Sequence, residues 1–334
     1  MMKFAGILGL GVLCTLFCAC GNTEPGSAGS ASTAVAIEQQ QKTAAATPRI
    51  ALVLKTLSNP FFIAIERGAR RAAAQSGVVL EVRTAAQETA IEQQIAIVDE
   101  LIEDKVPALV IAPSDSQRLL PVLQKAQQRG MVIINIDNPL DSARLSQLHM
   151  QAIPFVSVDN EAASYAAVKA VLAHMPALAE AALIEGMPGA ENGRLRSAGA
   201  RRALREHGVS KVAAMTAHWK IDEAYSVSKD LFRQHPHITL LFCANDMMAL
   251  GAVRYLQESG RTEVAVIGYD AIDEAKQALR SGAMVATVDQ AADEQGYQGV
   301  MLALRALKGE TLPARLPVAA QVLTAELLKQ RERP

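Results

Sequence analysis

Charge of either sign is scarce in this chain and nearly cancels. Lysine and arginine number 33 against 34 aspartates and glutamates, the formal net charge is −1, and only 20% of residues are charged. A chain without a basic excess lacks the electrostatic footprint of a nucleic-acid binder or of a protein drawn to anionic lipid. Cysteine is equally sparse. Cys14, Cys18 and Cys20 crowd the N-terminus and Cys243 stands alone inside an apolar run. Neither a disulfide framework nor a metal-ligand spacing is present, and Cys243 reads as a small buried residue. There is a single tryptophan, Trp219. Half the residues are hydrophobic, yet no apolar run in the body of the chain reaches the roughly 20 residues a transmembrane helix needs.

Catalytic signatures are missing as well. The glycine-rich segment Gly186–Gly193 follows a strand-like run but fits neither the phosphate loop nor the dinucleotide fingerprint. No His-Glu-x-x-His, nucleophile-elbow serine or calcium loop occurs, and the six histidines are scattered. Asp137 and Asp270 have the chemistry of a glycosidase pair, but nothing in the sequence sets their separation or raises one pKa. The expectation is a protein with no catalytic residues, no cofactor and no metal.

The N-terminus is a separate object. Met1-Met2-Lys3 is a short positive start, Phe4–Phe17 is apolar, and Cys18-Ala19-Cys20-Gly21 offers a small-residue cleavage point. This resembles a bacterial lipoprotein signal over residues 1–19, cleaved after Ala19, with a diacylglyceryl thioether on Cys20. Phe17-Cys18 stands where such signals usually carry Leu and a small residue. An ordinary signal peptide is the alternative, and either sends the chain out of the cytoplasm. Residues 20–48 are expected to form a tether, because Asn22–Thr47 is rich in Ser, Ala, Thr, Gly and Gln and has no aromatic residue with which to bury a core.

From Arg49 onward, strand-like runs alternate with amphipathic segments of helical length. Strands are expected at Ile50–Thr56, Val78–Arg83, Ala108–Ala112, Val132–Ile136, Phe155–Val158, Ala182–Glu185, Lys211–Met215, Leu240–Ala244, Val264–Tyr269 and Met284–Val288. Gly77, Gly130, Gly208 and Gly260 each close a helical run. This alternation predicts an α/β fold with parallel sheets covered on both faces. The strands are too numerous for one sheet, Leu140–Pro154 lacks a period, and a fresh series opens at Phe155. Two doubly wound lobes joined near Val158–Asp159 are expected.

Five polar residues sit just past the strand-like runs: Asn59, Asp137, Asn245, Asp270 and Gln290. In open α/β sheets ligands bind outside the carboxyl ends of the strands, so these groups can converge on one ligand. Asn, Asp and Gln each exchange several hydrogen bonds, which suits a molecule crowded with hydroxyls. Aromatic residues hold similar places: Phe61 and Phe62 follow the first strand-like run, and Trp219 follows another. Taken singly, each polar residue is more simply a helix cap or turn residue; five in register are harder to explain that way.

The segments Thr56-Leu-Ser-Asn-Pro-Phe-Phe62, Leu241–Ala252, Val266-Ile-Gly-Tyr-Asp270 and Ala286-Thr-Val-Asp-Gln290 resemble the periplasmic sugar-binding proteins of ABC importers, in their ribose-binding branch, from about Arg49 to the C-terminus. The resemblance implies ligand contacts by Asn59, Phe61, Phe62 and Asp137 from the first lobe. From the second it implies contacts by Arg194, Trp219, Asn245, Asp270 and Gln290. It also implies three interlobe crossings, with 49–158 plus 291–318 in the first lobe and 159–290 plus 319–334 in the second. Ribose binders carry a small hydroxyl residue where this chain has Lys55, and arginine where it has Asn138. These two residues are therefore candidates for tuning the choice of ligand. The partners implied are a monosaccharide or polyol, an importer permease and in some members a chemoreceptor, for a monomer held to a membrane by its lipid alone. Sugar-responsive repressors share the fold but need an N-terminal DNA-binding domain, whose place is taken here by the signal and tether. A sensory receptor for a sugar-like signal such as a quorum autoinducer is the remaining alternative.

Overall fold

The first strand, β1 (Arg49–Leu54), is buried from Ile50 to Leu54, as a strand covered on both faces must be. The computed structural model describes residues 47–176 and 180–331. The expected signal, Cys20 and nearly all of the expected tether therefore lie outside the described residues. β1 joins β2 (Val79–Thr84), β3 (Ala108–Ile111), β4 (Val132–Ile136), β5 (Phe155–Ser157) and β11 (Arg315–Pro317) in a parallel sheet of order β11-β5-β4-β3-β1-β2. A second parallel sheet has the order β7-β6-β8-β9, from β6 (Glu180–Glu185), β7 (Lys211–Thr216), β8 (Leu240–Cys243) and β9 (Ala265–Ile267). The part of the chain built on each sheet is termed lobe one and lobe two.

Side chains alternate between the two faces of the first sheet. Ile50, Leu52 and Leu54 enter one apolar cluster with Phe62 and Ile65, while Ala51 and Val53 enter another with Val98 and Leu101. The helices are α1 (Pro60–Ser76), α2 (Ile91–Glu103), α3 (Leu120–Gln128) and α4 (Ser142–Gln147), then α5 (Asn160–Leu172), α6 (Glu191–Glu206), α7 (Ile221–Gln234) and α8 (Asp246–Glu258). They are followed by α9 (Asp273–Ser281), α10 (Ala292–Leu307) and α11 (Ala325–Arg331). None among the described residues is long and apolar enough to cross a membrane. Helix α10 returns to lobe one and packs along α1. The approach is close enough that a Cβ on Gly296 would lie 1.9 Å from the Ile65 carbonyl oxygen. Glycine is required there by space.

The chain leaves the first sheet after β5, returns to it through α10, and crosses again after β11. One expectation is corrected: not every strand pair is parallel. β10 (Thr287–Asp289) pairs antiparallel with β12 (Gln321–Leu323), because both belong to segments that cross between the lobes in opposite directions. The segment without a period holds the short helix α4, capped by Asp141, whose side chain accepts from the Arg144 N–H. With no buried residue of its own, α4 leaves no apolar stripe to read.

Candidate functional site

The loops leaving the strand ends of both sheets meet around a narrow pocket closely filled by its lining side chains. Lobe one supplies Lys55, Asn59, Phe61, Phe62, Glu88 and Asp137. Facing them are Asn192, Arg196, Trp219, Asn245, Asp270 and Gln290.

On the lobe-one side, Asn59 caps helix α1. Its Oδ1 accepts from the Phe61 N–H at 3.0 Å, and its Nδ2 donates to Glu88 Oε1 at 3.0 Å. Capping thus occupies the amide oxygen and leaves the NH₂ end at the pocket. Lys55, only 2% exposed, places Nζ 2.8 Å from Asp137 Oδ2. The approach has ion-pair distance without the angles of a hydrogen bond, so Oδ2 keeps unused acceptor capacity. Asp137 has φ +63°, a left-handed conformation that Asp tolerates better than most residues and that clusters at functional sites. The rings of Phe61 and Phe62 meet edge to face at 5.1 Å.

Lobe two repeats the arrangement. Asn245 caps α8 through Oδ1, which accepts from the Met248 N–H at 2.9 Å, while Nδ2 donates to the Trp219 carbonyl at 3.4 Å. Gln290 donates from Nε2 to Asp270 Oδ1 at 2.6 Å. Arg196 donates from Nε to Asn160 Oδ1 at 2.8 Å, from Nη1 to the Ala244 carbonyl at 2.8 Å and from Nη2 to Gln290 Oε1 at 3.3 Å. Its guanidinium lies 3.8 Å from the Tyr269 ring centroid. Trp219 is 5% exposed, sits at φ +69°, and its indole N–H has no partner among the described residues. Gly186 and Gly193 make room for that ring, since a Cβ on either would lie 2.1 Å or 2.9 Å from it.

Two sequence expectations are corrected by this geometry. Arg194 does not reach the pocket; its side chain is 69% exposed and pairs with Glu191 at 2.6 Å. Arg196 stands there instead. Two residues along a helix turn the side chain by about 200°. The buried positions Asn192, Gly193, Arg196, Ser197, Ala200, Ala203 and Leu204 of α6 mark the inner face. That small-residue spacing was readable and pointed to Arg196. Asn138 is also absent from the pocket lining; it is fully buried behind Asp137 and bonded to protein groups alone. Lys55 does enter the pocket. Sequence reasoning missed Glu88, which lies several residues past β2, as well as Asn192 and Arg196.

The family model for the periplasmic binding protein domain matches residues 50–311. The chain belongs to the periplasmic binding protein family. This periplasmic binding protein is 37% identical over 267 residues to the D-ribose/D-allose-binding protein of Pseudomonas aeruginosa, covering 79% of this chain and 83% of that one. It is 30% identical to the D-allose-binding periplasmic protein of Escherichia coli, over 80% of this chain and 88% of the other. Among solved structures it resembles a periplasmic solute-binding protein of an ABC transporter from Actinobacillus succinogenes with bound D-allose. That match has TM-score 0.81 and 33% identity, covering 85% of this chain and all of that one. The lobed α/β architecture is that of the type I periplasmic binding proteins.

Electrostatics in the binding protein follow from enclosing several carboxylates together. Burial pushes the Asp270 carboxyl well above its ordinary range; Arg196 opposes the shift, while Asp246, Glu88 and Asp137 add to it. Burial likewise raises Glu88, against Lys55 and Asn59. Asp246 lies behind Asp270. Its Oδ1 accepts from Thr287 Oγ1 at 2.7 Å and its Oδ2 from the Ile272 N–H at 3.1 Å, yet burial pushes its carboxyl from 3.8 up to about 6. A raised folded-state pKa adds stability that is fully present below the unfolded value and lost as pH rises through the folded one. Asp246→Asn should therefore gain on the wild type between about pH 4 and pH 7, by on the order of 2–3 kcal/mol. Urea unfolding of both proteins across that range measures the difference; a difference that stays flat, or shrinks with rising pH, contradicts the assignment.

Proposed function

We propose that this protein captures one monosaccharide of the ribose–allose class between its lobes and delivers it, chemically unchanged, to an ABC importer. The observation that carries the reading is the buried pocket shared by both lobes, where carboxylates face cations and amides. Each sugar hydroxyl donates one hydrogen bond and accepts others. Glu88, Asp137 and Asp270 supply acceptors; Lys55, Arg196, Asn59, Asn192, Asn245 and Gln290 supply donors. Phe61, Phe62 and Trp219 offer aromatic faces to the apolar C–H faces of the ring. The names of the relatives support the same class of ligand, and they describe binding proteins.

In this reading residues 49–158 with 291–318, and residues 159–290 with 319–334, move as rigid bodies about the three crossings. Selectivity comes from hydroxyl pairing: a site built to bond a hydroxyl rejects an analogue lacking it by up to about 10⁴-fold, because buried polar groups are left unpaired. Lys55 in place of a small hydroxyl residue lengthens the reach of lobe one toward the sugar. Retention outside the cytoplasm is assigned to lipid on Cys20, with the segment that follows as a spacer.

Calorimetric titration with D-allose and D-ribose should give saturable one-to-one binding of at least one of them, with the sugar recovered intact. Asp137→Ala should cost on the order of 2–5 kcal/mol of that affinity, as for a buried charged hydrogen-bonding group. A folded protein that binds no monosaccharide in a broad panel, or that turns one over, would refute the reading. The anchor has its own test. Cys20→Ser should move the protein from the membrane to the soluble fraction, and unchanged retention would exclude lipidation at that residue.

A further inference from the structure

Helix α6 opens on Ala190, which has no side-chain group to cap it, although the first N–H groups of a helix have no partner within it. The first two take their partners from the other lobe. The Glu191 N–H donates to Ser116 Oγ at 3.1 Å, and the Asn192 N–H donates to Asn138 Oδ1 at 3.0 Å. Ser116 and Asn138 are tied to one another and to their own lobe. Asn138 Nδ2 donates to the Pro113 carbonyl at 3.0 Å and to Ser116 Oγ at 3.2 Å. A backbone bond crosses beside them, from the Ser116 N–H to the Gly189 carbonyl at 2.9 Å. Gly189 is fitted to this contact, because a Cβ there would sit 2.1 Å from Asp115 Oδ2. Asp115 is held in place by its other oxygen, which accepts from the Gln117 and Arg118 N–H groups at 2.8 Å.

We propose that Ser116 and Asn138 cap helix α6 across the cleft, so that this contact between protein groups alone stabilises lobe closure and sets how long the bound sugar stays. A cap on the same chain segment would hold α6 equally in open and closed forms and would favour neither. A cap supplied by the opposite lobe is lost on opening, so its stabilisation belongs to the closed form only. Asn138 and Ser116 are then positioning residues. Asn138 also places Asn192, whose Nδ2 donates to Asp137 Oδ1 at 3.2 Å, and so links the cap to the pocket. The inference rests on the sugar-capture reading for its kinetic consequence and on lobe motion alone for its structural one.

Trp219 lines the pocket and serves as a built-in reporter for stopped-flow emission with D-allose as the probe. One cap contributes about 1 kcal/mol, which corresponds to about fivefold in an equilibrium. Ser116→Ala should therefore speed D-allose release about three- to tenfold with association within about twofold of wild type. Gly189→Ala should act in the same direction by wedging the contact. Asp115→Ser should restore slow release to Gly189→Ala, because serine keeps a capping oxygen and removes the clashing one. Unchanged release rates in Ser116→Ala and Gly189→Ala would overturn the proposal, as would a loss of thermal stability with no change in release. A second arm needs no sugar. In the ligand-free chain the pair Asp115→Cys with Gly189→Cys should close a disulfide under mild oxidant, and adding Ser116→Ala should slow it several-fold. A folded pair that never bridges, or bridges at a rate indifferent to Ser116→Ala, would overturn the proposal even if sugar binding stands. Absence of any sugar binding with normal bridging would instead fault the capture reading.

Discussion

A guanidinium buried as deeply as that of Arg196, 2% exposed, is retained only if its donors are occupied and its charge is answered, because an unpaired buried ion costs several kcal/mol. The fold around the cleft meets that demand from many directions. Asn160 at the start of α5, the carbonyl of Ala244 just past β8, and Gln290 just past β10 each take one donor. Asp270 stands 3.6 Å away and the Tyr269 ring lies beneath the plane. Satisfying one side chain thus fixes the relative placement of helix, strand ends and crossing segment. Lys55 and Asp137 form the matching pair on the other lobe, and Arg196 reaches within 4.0 Å of the same Asp137. The two lobes meet through a network of opposite charges, with hydrogen-bonding capacity left over for a polyhydroxylated guest.

The same residues carry local structure and function together. Asn59 and Asn245 cap α1 and α8 with their oxygens and present nitrogens to the cleft. A cap is held rigid by the helix it starts, so the donor end of the amide is placed to within the precision of the backbone. Strain is concentrated nearby. Asp137, Trp219, Asp270 and Ala291 all have positive φ, conformations that persist only where surrounding contacts over-determine them.

Alternation of strand-like and helical runs made the fold class readable, because parallel sheets need apolar strands and covering helices. It could not foresee that β10 and β12 run antiparallel, since three-residue strands carry no period. The strand-end rule found Asn59, Asp137, Asn245, Asp270 and Gln290, all of which line the pocket. It missed Glu88, which reaches the pocket from a loop several residues beyond its strand. The family resemblance points to Arg194, whereas the helical face marked by Gly193, Ala200 and Ala203 carries Arg196. Asn138 looked like a ligand residue because it follows Asp137; its true partners, Pro113, Ser116 and Asn192, are distant in sequence and could not be read from it.

The central claim is that both lobes grip one sugar in this pocket, and a crystal structure of the protein grown with D-allose tests it most directly. The account predicts a single pyranose between the Phe61–Phe62 pair and Trp219. Its hydroxyls should lie within hydrogen-bond distance of Asp137 and Lys55 on one side and of Arg196, Asp270 and Gln290 on the other. Sugar density elsewhere in the molecule, or a sugar in the cleft that bonds to one lobe only, would contradict it.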